Sequence, residues 1–322
     1  MSGREGSRGA PEHAGERTIL FGGSGFLGPY ILGRCPAMVS VGRTRPTTHN
    51  RHIQVDTLAN LDALRDVPFD KVIYIIGNTD HHNLEKEHIP HGEPTAFDYH
   101  VVPLLQTLEQ LKGYPIRKFI NFSTILIYDE KRITLPVSED APIDPYRNRY
   151  VLSKYLAEEA CKFYAQWMPI INVRLANIYG PTPLKRFDLI HVLIHQLLSG
   201  GKGQVWSTEP ERDFIYVEDV AAALVQLVES NYTGTLNLGT GTMTQVRRVV
   251  DILSAISGCP IIDLQKPVSG PMQFRCDPST IERLIEWRPR YSIEDGVRRT
   301  YTLMKTWRES GHSLAIGADR IA

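Results

Sequence analysis

The chain has 322 residues, and its 36 basic and 36 acidic side chains leave no net formal charge. That balance removes the basic footprint of a nucleic-acid binder or of a protein held to anionic lipid, so a small-molecule ligand is the expected partner, with no nucleic acid and no membrane. The length suits one large or two closely joined domains with a sizeable core.

The first 16 residues, MSGREGSRGAPEHAGE, lack the apolar centre of a signal peptide and read as a disordered tail. No window approaches the roughly 18 to 20 consecutive apolar residues that span a bilayer. Cys35, Cys161, Cys259 and Cys276 are far apart, with no CxxC pair. They are expected to be reduced and mostly buried, in a soluble cytoplasmic protein.

From Arg17 onward, short β-branched runs alternate with amphipathic stretches. Strands are predicted at TILF (18–21), MVSV (38–41), HIQV (52–55), KVIYII (71–76), KFINF (118–122) and INVRL (171–175). Continuous apolar runs separated by helical segments indicate strands buried on both faces of a parallel sheet, a Rossmann-type doubly wound α/β architecture. Helices are predicted from Ala96 to Lys112, ended by Gly113, and from Tyr146 to Trp167, ended before Pro169. After residue 178 a loop with Pro181 and Pro183 leads to DLIHVLIHQLLSGG, a helix stopped by Gly200 and Gly201. The expected organisation is a dinucleotide-binding domain at 17–177, to which 213–240 returns, and a smaller α/β substrate domain built from 178–212 and 241–322.

GGSGFLG lies directly after the first predicted strand and before a helical segment. It parses as Gly22-x-x-Gly25-x-x-Gly28 and as Gly23-x-Gly25-x-x-Gly28, with Phe26 and Leu27 inside the motif. Missing side chains let a pyrophosphate approach backbone N–H groups at a helix start, where the helix dipole favours negative charge; the plainer reading is an ordinary glycine-rich turn. An NAD site carries an acidic residue about 20 positions further on to hold the ribose 2′-OH. Here that position is Gly42, followed by Arg43 and Arg45. With no carboxylate to repel a 2′-phosphate and a guanidinium to pair with one, NADP(H) is favoured over NAD(H), against the reading of Arg43 as a solvated loop charge. Asp56 either contacts the adenine or caps the next helix.

Tyr150 and Lys154 stand four apart on one helix face. A tyrosine of ordinary pKa near 10 is a poor acid or base at neutral pH, but an adjacent ammonium stabilises its phenolate. Taken with NFSTILIY (121–128), YVLSK (150–154), NVRLANIYGP (172–181), RDFIYVEDVA (212–221) and NLGTG (237–241), in that order, the chain resembles the extended short-chain dehydrogenase/reductases, the NAD-dependent epimerase/dehydratase family, in its sugar-nucleotide branch. The resemblance implies that Tyr150 exchanges the proton of a substrate hydroxyl. It also implies that Lys154 holds the nicotinamide ribose and depresses the Tyr150 pKa, and that Thr124, or failing it Ser123, hydrogen-bonds the reacting oxygen. Asn177 and Arg212 would bind the substrate diphosphate, assisted by Lys266 or Arg275. A homodimer paired through the two long helices is implied as well.

Departures from the family pattern narrow the reaction. Where 4,6-dehydratases carry an acidic pair, this chain has Ile125 and Leu126, which cannot act as general acid or base. Where the epimerase-reductases that make fucose nucleotides carry a histidine after the YGP turn, it has Thr182. What remains is redox at carbon 4 of a nucleotide-diphosphate sugar: an NADPH-dependent 4-ketoreductase making a deoxysugar nucleotide is favoured, over a 4-epimerase with tightly bound NAD. Two rivals stay in view, a non-catalytic nucleotide sensor on the same fold and a metal site. For the latter, His81, His82, His88, His91 and His100 crowd one segment, and His191 and His195 are four apart, but no HExxH accompanies them and no metal is expected. Trp206 is expected to fill the core of the second domain rather than stack on a base.

Overall fold

The computed structural model describes residues 17–80, 84–85, 89, 92–268 and 270–311. The tail at 1–16 and His81, His82, His88 and His91 lie outside the described residues.

Seven parallel strands form one sheet: β1 (Thr18–Phe21), β2 (Val39–Gly42), β3 (His52–Gln54), β4 (Lys71–Tyr74), β5 (Lys118–Thr124), β6 (Ile170–Leu175) and β11 (Gly234–Leu238), in the order β11-β6-β5-β4-β1-β2-β3. The chain winds outward from β1 to β3 and then crosses back to β4 on the other side of β1. The strand order therefore reverses between β1 and β4, where a crevice opens at the carboxyl ends of the strands. β5 runs two residues past its predicted end, which carries Thr124 to that crevice.

Alternating side chains put Leu20, Ile73, Ile120 and Ile171 on one face, and Ile19, Phe21, Val72, Tyr74 and Phe119 on the other. The first face shares one apolar cluster with α1 (Gly28–Arg34) and α6 (Val217–Leu227), a cluster that continues into α5 (Leu189–Gly200), α7 (Val246–Ser257) and α9 (Ile293–Glu309), which pack on one another; the second lies under α3 (Val102–Leu111) and α4 (Arg149–Tyr164). The remaining helices are α2 (Ala96–His100) and α8 (Ser279–Leu284), and three short ribbons complete the chain: β7 (Asn177–Tyr179) with β10 (Phe214–Tyr216), β9 (Glu211–Arg212) with β12 (Thr244–Gln245), and β8 (Gly203–Val205) with β13 (Ile261–Asp263). Segment 213–240 supplies α6, packed on α1, and the edge strand β11. One apolar cluster runs from β1 through α5 to α9 without interruption.

Two helices differ from expectation. The stretch 96–112 is α2 and α3 rather than one helix, because Pro103 has no N–H to offer Tyr99 and its ring crowds that turn. The predicted Tyr146 start moves to Arg149, where Asn148 accepts the Val151 N–H at 2.8 Å as N-cap; Tyr146 is 77% exposed. Trp206 is half-buried and outside both apolar clusters, so it does not fill a core.

Candidate active site

The glycine loop begins where β1 ends. Gly22 has φ +92°, a conformation that L side chains rarely adopt, and its carbonyl accepts the Gly25 N–H at 3.0 Å. Gly28 opens α1 so close to the loop that a Cβ there would overlap the Gly23 carbonyl, and a Cβ on Gly23 would overlap Ser40 Oγ. Both parses of the motif thus carry structure: Gly22 and Gly25 make the turn, while Gly23 and Gly28 allow close packing. The bare cradle ahead of a helix start fits a dinucleotide phosphate. Leu27 is buried beneath it, and the Phe26 ring lies against His191 with centroids 5.6 Å apart.

At the end of β2, Arg43 is exposed and makes no hydrogen bond or ion pair among the described residues. Arg45 is occupied within its own loop, donating to Asn50 Oδ1 at 2.9 Å. Asp56 is exposed beyond β3.

Across the crevice, Thr124 ends β5 and Tyr150 lies in the first turn of α4, and the Thr124 hydroxyl is one of the groups that draw the phenol's pKa down. Thr124 Oγ1 also accepts the Leu126 N–H at 3.2 Å, which fixes the turn after the strand. Ser123 is buried with no partner for its hydroxyl, on the opposite face of β5, so Thr124 rather than Ser123 meets the phenol. Lys154, one turn further along α4, donates to the Phe122 carbonyl at 3.0 Å. Burial pushes Lys154 down to about 8, against the pull of the Glu158 carboxylate. Burial pushes the Tyr150 phenol up to about 12, while the Thr124 hydrogen bond and then the Arg186 charge draw it down.

Three further groups brace this cluster. His100 sets its ring edge-on to Tyr150 at 5.3 Å and donates from Nδ1 to Ser153 Oγ at 2.8 Å, and Ser153 Oγ in turn donates to the Tyr150 carbonyl at 2.7 Å. Its Nε2 lies 2.8 Å from the Asn78 carbonyl. A Cβ on Gly77 would lie 3.2 Å from His100 and 3.5 Å from Lys154 Nζ, so the bare glycine lets imidazole and ammonium crowd one strand end. Glu85 accepts the backbone N–H groups of Tyr150 at 2.6 Å and Arg149 at 3.1 Å, a carboxylate at the positive end of α4.

Arg186 is the residue that sequence reasoning missed. Its guanidinium lies 4.2 Å above the Phe26 ring and donates from Nε to Asp188 Oδ2 at 2.7 Å. His191 Nδ1 lies 2.5 Å from Asp188 Oδ1, and its Nε2 lies 2.7 Å from the Gly180 carbonyl. Burial raises the Asp188 carboxyl, but the His191 and Arg186 charges outweigh it and hold the group far below the usual carboxylate range. The only signal in the sequence was a charge pair, Arg186 and Asp188, just ahead of a helix. His195 lies one turn below His191, buried, with Nε2 unpartnered.

The expected diphosphate residues gather on the second half. Asn177 donates from Nδ2 to the Asp213 carbonyl at 3.1 Å, and Arg212 donates to the Glu211 and Met272 carbonyls at 3.2 and 3.3 Å. Asp213 fixes this corner by accepting from Thr240, Gly241 and Cys276 backbone N–H groups. Of the two basic alternatives, Lys266 is exposed, whereas Arg275 keeps a buried Nε with no partner. The four cysteines are free, and three of them are buried. No helix among the described residues is long and apolar enough to cross a membrane.

Comparison with known proteins agrees with this geometry. The sequence pattern described as the NAD dependent epimerase/dehydratase family matches residues 18–239. A Methanocaldococcus jannaschii protein named as a candidate UDP-glucose 4-epimerase is 32% identical over 219 residues, 65% of this chain and 70% of that one. The GDP-6-deoxy-D-mannose reductase of Pseudomonas aeruginosa is 23% identical over 88% of this chain and 95% of its own length. The crystal structure of the Thermotoga maritima UDP-glucose 4-epimerase superposes with a TM-score of 0.78 at 21% identity, over 91% of this chain and 99% of that one, which shows the shared fold.

Proposed function

Because the chain belongs to the NAD-dependent epimerase/dehydratase family, the extended short-chain dehydrogenase/reductases, and is an enzyme of that NAD(P)-dependent class, we propose that it carries out oxidoreduction at carbon 4 of a nucleotide-diphosphate sugar, as an NADPH-dependent 4-ketoreductase. The observation that carries this reading is the set of Thr124 at the end of β5, Tyr150 in the first turn of α4 and Lys154 one turn further along it, facing the glycine cradle. A bound dinucleotide supplies the hydride. The chain's own residues supply the rest: Thr124 orients the reacting oxygen, Tyr150 delivers a proton to it, and Lys154 holds the ribose beside them. Ile125 is buried and apolar where water removal would need an acid, which supports simple carbonyl reduction over dehydration. Asn177, Arg212 and Arg275 hold the diphosphate, and the orphaned Nε supports Arg275 over Lys266.

The exposed Arg43 after a strand end with no carboxylate supports NADPH. The 32% identity to the archaeal protein named for 4-epimerase activity favours the second reading, a 4-epimerase with retained NAD. Two measurements decide between them: the nucleotide released on denaturing fresh protein, and NADPH oxidation with 4-keto sugar nucleotides. Stoichiometric released NAD overturns the ketoreductase reading, while NADPH consumption by a 4-keto substrate supports it. We place the enzyme in the cytoplasm as a homodimer, joined through the apolar side chains exposed along α3 and α4.

A further inference from the structure

We propose that Glu85 is a positioning residue for Tyr150: its carboxylate fixes the first turn of α4 and so sets where the phenol stands in the crevice. The role deepens the oxidoreductase reading of the same site and rests on it for its effect on turnover. Glu85 holds the backbone of Tyr150 rather than the reacting atoms.

A helix offers no acceptor of its own to its first N–H groups. In α4, Asn148 Oδ1 takes the Val151 N–H at 2.8 Å, and the Leu152 N–H begins the helical ladder on the Asn148 carbonyl at 2.9 Å. That leaves the N–H groups of Arg149 and Tyr150 to other elements, and Glu85 accepts one on each oxygen: Arg149 on Oε2 at 3.1 Å and Tyr150 on Oε1 at 2.6 Å. A carboxylate also suits the positive end of the helix dipole. Ser153 Oγ donates to the Tyr150 carbonyl at 2.7 Å, so the peptide groups on both sides of Tyr150 are held by side chains.

Glu85 is itself anchored. Leu84 beside it is buried in the apolar cluster of the first sheet face, and its N–H reaches the Asp80 carbonyl at 3.1 Å. Nearer to β4, the Asn78 N–H donates to His100 Nε2 at 3.1 Å, and Asn78 Oδ1 accepts the Asp80 N–H at 2.9 Å. The path from β4 to Glu85 is thus tied to His100 through Asn78 and to the core through Leu84. The phenol oxygen of Tyr150 lies at the far end of a rigid ring, so a small rotation of the first turn displaces it, and a misplacement of about 1 Å can cost about 10²-fold in rate.

The test follows amide hydrogen exchange in the full chain without ligand, with 15N in arginine and tyrosine, and the 19F signal of a fluorotyrosine at position 150. Glu85→Ala is expected to speed exchange at Arg149 and Tyr150 by about tenfold or more, to leave Tyr74 and Arg174 in the sheet unchanged, and to shift or broaden the 19F signal. With NADPH and a 4-keto sugar nucleotide, its kcat should fall by about 10- to 100-fold while the NADPH Kd stays within a few-fold. Glu85→Gln keeps one acceptor oxygen and turns an NH2 toward the other N–H, so it should fall between wild type and Glu85→Ala in each readout; it carries the test if the alanine variant does not fold. Unchanged exchange at Arg149 and Tyr150, an unmoved 19F signal or an unchanged kcat overturns the proposal. An equal loss of protection at Tyr74 and Arg174 also overturns it, since that marks a general loss of stability. If the wild type turns over no sugar nucleotide, the functional reading falls, and exchange with the 19F signal still decides this one.

Discussion

Glu158 on α4 and Arg174 on β6 meet in the interior through two hydrogen bonds, Arg174 Nε to Oε1 at 3.0 Å and Nη2 to Oε2 at 2.8 Å, with Glu158 1% exposed. The pair sits one helical turn beyond Lys154, and the same carboxylate raises the Lys154 pKa against its burial. Arg174 is covered on another side by the Tyr128 ring, 4.9 Å away. Removing only the carboxylate leaves a buried guanidinium uncompensated, at a cost of about 3–5 kcal/mol. Glu158→Gln should therefore lower the urea midpoint markedly and also shift the Lys154 titration further down. Glu158→Gln combined with Arg174→Met should recover a large part of the stability, though not the Lys154 titration. If the single variant unfolds at the wild-type urea concentration, the pair is not the brace described here.

Tyr150→Phe removes the hydroxyl that donates the proton but keeps the ring against His100. Turnover should fall by about 10²–10⁴-fold, while NADPH affinity, read by fluorescence quenching, stays within a few-fold. Thr124→Val should lower turnover and raise the apparent tyrosine pKa together, because the Thr124 hydrogen bond is among the influences that draw Tyr150 down. Unchanged function in Tyr150→Phe would point instead to a nucleotide-sensing protein on this fold.

The readable parts of the site were those written locally. TILF followed at once by GGSGFLG announces a strand, a turn and a close-packed helix start, and Tyr150 with Lys154 share a helix face by spacing alone. The break between α2 and α3 is also local, set by Pro103 inside the stretch predicted as one helix. Arg186 was not legible: next to Lys185 and a proline loop it reads as a solvated charge, and its burial depends on Phe26 from the first strand's turn. His100 was legible only as a member of a histidine-rich segment; its partners, Ser153 and Asn78, come from α4 and the end of β4.

Phe163 and Trp167 at the end of α4 are 60% and 44% exposed, and Val102 and Leu105 on α3 are 44% and 38% exposed. These side chains lie on neighbouring helices and leave apolar area exposed for a partner. Light scattering after size exclusion should give a dimer at micromolar concentration. Phe163→Glu should yield a monomer with its fold intact, since the side chain contributes little to the core. A monomer for the unaltered chain would remove the homodimer from the proposal.

His195 gives the protein a predictable acid limb. Burial is the main cause that pushes its pKa from 6.5 to about 4, with the His191 and Arg308 charges adding to it, and its Nε2 has no partner. The unfolded chain takes up a proton here near pH 6.5, whereas the folded chain resists until about pH 4. Stability from this residue is therefore complete above 6.5 and falls as the pH drops through that window, by on the order of 2–3 kcal/mol. Asp188 acts in a separate, lower window, because its depressed pKa contributes stability above the unfolded carboxylate value near 3.9 that is lost only on further acidification. His195→Leu should flatten the urea midpoint between pH 6.5 and 4.5 and leave the steeper loss below pH 4 in place. A variant that tracks the wild type through the upper window would show that another group controls it.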